Sequence, residues 1–366
     1  MPFSQTVIDD TRASSYTIPT DAAEADGTFE WNSTTLVLVE ISSGGSTGIG
    51  YTYGSKAAAA VAKHLGVKCL AGESPFDIPR LGAAMLAQVR NDGSRGIASL
   101  AISAADIALW DLKAKLLGCS VADLLGCAQD SVAAYGSGGF TSYSGDQLQR
   151  QLCRWAQSGL KSVKMKIGSE PTSDPQRVQL ARNAIGPDVA LFVDANGAYS
   201  AKQAIALAGR FAESGVSWFE EPVSSDHHAD LRRVRDSAPP GMDVAAGEYG
   251  YDTFYFRRML DAQAVDVLQL DATRCKGFTG FREGAEVARS FGCPLSAHCA
   301  PTLHMHAACS VPDFRHVEYF HDHARIEQML FDGFIAPDGD GMLKPDRSRP
   351  GLGIVFKQKD AERFAD

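Results

Sequence analysis

The chain has no long basic run, no C-x-x-C pair and no apolar stretch long enough to cross a bilayer. Each absence removes a class of function. With 35 Lys and Arg against 44 Asp and Glu the net charge is −9, so neither nucleic acid nor an anionic membrane surface is an expected partner. The longest mostly apolar stretch, I-A-S-L-A-I-S-A-A-D-I-A-L-W, is interrupted by Asp106 and falls short of the roughly 20 residues a spanning helix needs. It reads as a buried helix. Eight cysteines are scattered along the sequence, and M-P-F-S-Q-T-V-I-D-D carries no charged segment followed by an apolar one. The expectation is a cytoplasmic protein with reduced thiols. The G-S-G-G at 136–139 lacks the lysine of a phosphate-binding P-loop.

What is present is a chain of 366 residues, longer than one typical domain, with an apolar fraction of 45% that is ample for a large core. Residues 1–125 form one unit. T-T-L-V-L-V-E-I and G-G-S-T-G-I-G-Y suggest a hairpin around a Gly/Ser turn. Helical stretches follow at 55–65, 78–91 and 97–117. In the last, Ile102, Ala105, Leu109, Leu112 and Leu116 recur at spacing 3,4,3,4, and Gly118 fits a left-handed cap. Strands first and helices afterwards predict an α+β domain.

The rhythm changes over residues 126–330. Eight short apolar or β-branched runs, from S-V-A-A-Y-G to H-V-E-Y-F, alternate with amphipathic segments. That alternation predicts an α/β unit, a closed parallel barrel in preference to an open doubly wound sheet. Residues 331–366, rich in Gly, Pro and Asp, read as a closing segment packed elsewhere.

Each predicted barrel strand after the first ends in a functional side chain: Lys164 and Lys166, Asp194, Glu220, Glu248, Asp271, His298 and Glu318. The intervals from Lys164 are 30, 26, 28, 23, 27 and 20 residues, about one βα unit each. The C-terminal ends of barrel strands converge on one pocket, so residues remote in sequence share a site. Asp194, Glu220 and Glu248 on successive strands would repel unless a cation lay among them, and hard oxygen donors favour Mg²⁺. Asp271 beside His298 is a general-base arrangement. Glu221 is expected to point away and serve structure. His304 and His306 form H-x-H, but they follow the seventh strand and read as packing or surface residues. A zinc hydrolase would need H-x-H on the first strand, where this chain has A-A-Y-G-S. A non-catalytic binding barrel would have no use for the full polar set.

V-K-M-K-I-G, W-F-E-E-P-V, L-Q-L-D-A-T-R-C-K-G-F-T-G and S-A-H, in this order and spacing, resemble the enolase superfamily and within it the mandelate racemase subgroup. The resemblance implies a modified TIM barrel, (β/α)7β, with an N-terminal α+β capping domain completed by the C-terminal tail. It implies Mg²⁺ held by Asp194, Glu220 and Glu248 with Asn196 in support, and Lys166 and His298–Asp271 as bases on opposite faces of a small carboxylate substrate. Lys164 would face the substrate carboxylate, Glu318 would donate a hydrogen bond to the enediolate oxygen, and the protein would be a homo-oligomer. Two ammonium groups about 4 Å apart repel by about 4 kcal/mol, or about three pKa units, which would help neutralise Lys166. The implied activity is abstraction of the proton α to a carboxylate: dehydration of a monocarboxylate sugar acid, or else racemisation, epimerisation or lactone cycloisomerisation. The segment Y-T-I-P-T-D-A-A-E-A-D-G is expected to be an acidic capping loop, and Lys276 stands where relatives often have Gly.

Overall fold

The computed structural model describes residues 6–366. A three-stranded antiparallel sheet opens the chain: β1 (Asp10–Ala25), β2 (Glu30–Ser43) and β3 (Ser46–Tyr53). β2 and β3 form the expected hairpin, turning through Gly44 and Gly45, both at positive φ. Helices α1 (Ala57–Leu65), α2 (Ile78–Gln88), α3 (Ile97–Leu117) and α4 (Val121–Leu125) follow. α3 is buried almost all round because it lies between this sheet and the barrel, and Gly118 caps it in the left-handed conformation. Its Asp111 accepts hydrogen bonds from Ile49 N and Leu352 N, tying β3 and the C-terminal segment to one helix.

The acidic segment expected as a loop is instead most of β1. It pairs with β2 from Asp10 to Pro19, shifts register, and resumes at Glu24↔Trp31. Pro19 and the run of polar residues hid the strand, because pairing with β2 and not an alternating pattern sustains it.

Eight parallel strands close the barrel: β4 (Val132–Gly138), β5 (Ser162–Lys166), β6 (Ala190–Asp194), β7 (Val216–Glu220), β8 (Asp243–Ala246), β9 (Val267–Leu270), β10 (Leu295–Ala297) and β11 (His316–Phe320). They hydrogen-bond in sequence order, and β11 pairs with β4. The seven connections carry α5 (Gly145–Gln157), α6 (Asp174–Ile185), α7 (Ala201–Ala212), α8 (His228–Ser237), α9 (Thr253–Asp261), α10 (Gly277–Ser290) and α11 (Pro301–Cys309). Ser144–Gln147 and Ser200–Gln203 are reciprocal capping boxes that start α5 and α7. Tyr135, Phe192, Trp218, Ala245 and Val267 fill the barrel interior, so it is a packed floor and not a pore.

After α12 (His321–Leu330) come β12 (Phe331–Asp332), β13 (Met342–Leu343), β14 (Val355–Phe356) and α13 (Gln358–Ala361). β13 pairs antiparallel with β4, while Ala365 bridges to Tyr16 and Asp366 N donates to Ser15 O. The tail thus returns to the N-terminal sheet. Among the described residues no helix is long and apolar enough to cross a membrane.

Candidate active site

The strand-end groups meet above the aromatic floor. Lys164 and Lys166 both point inward from β5, as the period of two requires, and both are buried. Lys164 Nζ lies 2.5 Å from Glu220 Oε1, 2.8 Å from Glu318 Oε1 and 3.5 Å from Asp194 Oδ2. Below it the Tyr135 ring centroid is 5.3 Å away. Lys166 Nζ donates to Asp194 Oδ2 at 2.5 Å and to Asn196 Oδ1 at 3.0 Å. Asn196 N in turn donates to Asp194 Oδ1 at 2.9 Å.

Donor atoms of Asp194, Glu220 and Glu248 all lie within 4.8 Å of one another, and the three residues are at most 2% exposed. Burial and the neighbouring Asp194 push the Glu220 carboxyl well above its usual range despite Lys164. Glu248 Oε2 receives no hydrogen bond, and His298 Nε2 stands 3.4 Å away. A buried excess of negative charge with an orphaned oxygen fits a hard divalent cation.

The electrostatics of Lys166 differ from the expectation. Burial lowers its affinity for a proton and the Lys164 charge lowers it further, but the carboxylates of Asp194, Glu248 and Glu220 together outweigh them, and the net shift is upward. Pair repulsion does not neutralise this lysine while it is bound to a bare carboxylate. Glu318 also differs from the expected hydrogen-bond donor. Burial would raise its carboxyl, but Lys164 and His298 hold it well below the usual range. It accepts hydrogen bonds from Ser137 Oγ at 2.5 Å and Cys299 N at 2.9 Å.

His298 Nδ1 lies 2.8 Å from Asp271 Oδ2. Burial alone would raise the Asp271 carboxyl, but the His298 hydrogen bond and charges including Arg274 hold it low, so it is the acceptor. Nδ1 therefore carries a proton, and Nε2 is the nitrogen that faces the pocket. Thr273 N and Oγ1 both donate to Asp271 Oδ1 at 2.7 Å and fix the carboxylate.

The cavity over these groups is about 430 Å³. The β1–β2 hairpin tip closes one side with Asp26, Phe29 and Trp31, while Ser33, Thr34, Thr35, Tyr53 and Ser55 supply hydroxyls. Reading the strand ends alone missed Arg274, Cys299, Ser137 and Tyr249. Arg274 stood inside the quoted D-A-T-R, and Cys299 beside His298, but neither sits at a strand-end position. Arg274 Nη1 is 3.4 Å from Glu248 Oε1, its Nε is 3.5 Å from Asp271 Oδ2, and its guanidinium stacks 4.9 Å from the Tyr249 ring centroid. Cys299 Sγ is 3.1 Å from His298 Nε2, and Cys299 and Ala300 both hold positive φ.

The remaining sequence candidates lie outside the reacting centre. His304 is fully buried, accepting from Ala272 N at 2.8 Å and facing Cys299 O at 2.7 Å, and so braces the loops bearing Asp271 and His298. His306 is equally buried. Lys276 begins α10 in the left-handed conformation with its N–H on Ser103 Oγ of α3. Glu221 is 2% exposed and lines an adjoining cavity with Asn196 and Tyr249.

Fold and site together define a capped-barrel class whose functional groups stand on strand ends. Residues 20–126 match the mandelate racemase / muconate lactonizing enzyme N-terminal domain, and residues 147–361 match the Enolase C-terminal domain-like family. The chain belongs to the mandelate racemase/muconate lactonizing enzyme family of the enolase superfamily. It is 36% identical to D-galactarolactone cycloisomerase of Agrobacterium fabrum over 63% of this chain and 61% of that relative. It is 32% identical to L-talarate/galactarate dehydratase of Salmonella typhimurium over 78% of this chain and 73% of that one. A mandelate racemase/muconate lactonizing enzyme-like protein from Rubrobacter xylanophilus superposes with a TM-score of 0.95 at 47% identity, over 98% of this chain and all of the other. A racemase from Streptomyces coelicolor with bound magnesium superposes at 0.91 with 29% identity, over 98% of this chain and all of that one.

Proposed function

We propose that this protein is a Mg²⁺-dependent dehydratase of a monocarboxylate sugar acid. Asp194, Glu220 and Glu248 would hold the cation, with Asn196 fixing Asp194. Mg²⁺, when bound, would supply positive charge to the substrate carboxylate and compensate Asp194, Glu220 and Glu248, the carboxylates that together keep Lys166 charged. Lys166, then able to lose its proton, takes the α-proton of the substrate. The electron pair left at the α-carbon expels the β-hydroxyl. His298, with both ring nitrogens protonated for this step, gives it the Nε2 proton so that it departs as water, and the ring is left neutral with Nδ1–H on Asp271. The enol so formed tautomerises to a 2-keto-3-deoxy acid. Lys164 faces the carboxylate where negative charge grows, and Ser137 and Cys299 N hold Glu318 beside it.

The distal wall of the cavity carries the choice of substrate. The ammonium and guanidinium groups lining it are those of Lys166 and Arg274, and Arg274 is engaged by Glu248, Asp271 and the Tyr249 ring. Among the described residues no free cation there awaits a second carboxylate, whereas the hydroxyls of Ser33, Thr34, Thr35 and Ser55 suit a polyol chain. A dianionic aldarate would bring its far carboxylate to Asp26 instead. A second reading, 1,1-proton transfer, is supported by two bases that enter from different strands, Lys166 from β5 and His298 beyond β10. Lactone cycloisomerisation would use the same groups.

Incubation with Mg²⁺ in D₂O against aldonates, aldarates, lactones and α-substituted carboxylates tests the proposal. Keto-acid formation from an aldonate is the expected result. Deuterium at the α-carbon of recovered substrate would move the reading to racemisation, and turnover of aldarates alone would overturn the monocarboxylate assignment.

A further inference from the structure

A second cluster of ligand-type side chains lies behind the aromatic wall of the cavity. Donor atoms of Asp21 and Glu24, from β1, and of His321, the first residue of α12, all lie within 4.8 Å of one another. Asp21 Oδ2 is 3.0 Å from His321 Nε2. Glu24 is fully buried; its Oε2 accepts from Trp31 Nε1 at 2.8 Å, and its Oε1 has no partner. A second buried orphan lies close by, Asp322 Oδ2, whose other oxygen is bound by Arg325. Three carboxylates therefore share one arginine and one imidazole. Arg325 is committed further, with Nη2 donating to Pro19 O at 2.8 Å.

We propose that Asp21, Glu24 and His321 bind a first-row divalent cation of the Zn²⁺ type, at a site separate from Asp194, Glu220 and Glu248. One imidazole with two carboxylates is a mixed nitrogen and oxygen set that suits Zn²⁺ better than Mg²⁺. Ligand atoms around such an ion stand about 2.0–2.2 Å from it, so donors already within 4.8 Å of one another need only small side-chain rotations. The cation would satisfy the orphaned Glu24 oxygen and join the far part of β1 to the residues just beyond Glu318. Through Glu24 it would fix Trp31, which stands edge-on to Phe140 at 5.6 Å and lines the substrate cavity. The alternative occupant is a proton. Burial and Asp322 push the Glu24 carboxyl up to about 8, so the group awaits one or the other.

The test uses the full chain, stripped with chelator and then saturated with Mg²⁺. Zn²⁺ is added, and both metals are counted per chain after gel filtration while tryptophan emission is followed. The expected result is one Zn²⁺ per chain with Mg²⁺ retained, and an emission change that the Trp31→Phe variant lacks. Asp21→Asn and His321→Gln, both at partly exposed positions, should each weaken Zn²⁺ binding at least tenfold and keep Mg²⁺. Circular dichroism confirms that they fold, and either variant alone suffices. Absence of Zn²⁺ uptake, one-for-one loss of Mg²⁺ as Zn²⁺ enters, or uptake unaffected by both variants would each overturn the site and leave the proton as occupant.

Discussion

His298 Nδ1 and Asp271 Oδ2 are 2.8 Å apart, and Thr273 pins the other Asp271 oxygen with two donors at 2.7 Å. Together these contacts decide which imidazole nitrogen faces the substrate. In Asp271→Asn the Thr273 donors would retain the amide oxygen and turn the amide NH₂ toward His298. Nδ1 would then have to accept, so the ring could no longer hold protons on both nitrogens, and a neutral Nε2–H imidazole is a far weaker acid toward the departing hydroxyl. Turnover should fall by about 10²–10⁴-fold, the usual worth of a positioned acid or base. The Mg²⁺ content should stay unchanged, and a pH–rate profile with metal analysis checks both parts.

Removing the metal should act on activity and stability together. Asp194, Glu220 and Glu248 are buried and repel one another, relieved in part by the two lysines and by Arg274 beside Glu248. Chelation should abolish turnover, and Mg²⁺ should restore it. Mg²⁺ at 100 times its dissociation constant should stabilise the fold by about 2.7 kcal/mol, read as a rise in melting temperature. A melting temperature indifferent to Mg²⁺ would argue against these ligands.

Packing of the N-terminal sheet on α3 depends on two glycines. A Cβ on Gly50 would lie 2.2 Å from Ala104 O and 2.4 Å from Ala108 N, and one on Gly48 would lie 2.3 Å from Ala108 O. These are backbone atoms of a helix that cannot yield singly. Gly50→Ala should therefore cost at least the ~1–3 kcal/mol of ordinary overpacking, measured as a lowered urea midpoint.

The barrel was legible because its strands carry β-branched runs and end in charged or polar side chains one βα unit apart. Asp194, Glu220 and Glu248 could be placed together from that spacing alone. β1 was not legible, since its pairing comes from β2 and its own sequence is polar and interrupted by Pro19. Arg274 and Cys299 were missed because they reach the pocket from loops, where sequence spacing says nothing about direction. The charge state of Lys166 could not be read either. The lysine pair was visible in V-K-M-K-I-G, but the sign of the net shift rests on Asp194 at 2.5 Å together with Glu248 and Glu220, relationships across strands.

Glu24 gives the fold a pH dependence whose sign can be worked out. Its carboxyl is pushed up to about 8 by burial first and by Asp322 next, against an unfolded value of 4.5. The native chain therefore holds this proton more tightly than the unfolded chain does. Its contribution is complete below about pH 4.5, declines as pH rises, and is gone above about pH 8. A shift of that size corresponds to at most about 5 kcal/mol over the window. Glu24→Gln keeps an acceptor for Trp31 Nε1 and has no proton to lose. In chelator, so that no cation competes for the carboxylate, wild type should lose stability between pH 5 and pH 8 relative to Glu24→Gln. The two should converge at acid pH, and equal slopes of melting temperature against pH across that window would show that Glu24 is ionised throughout.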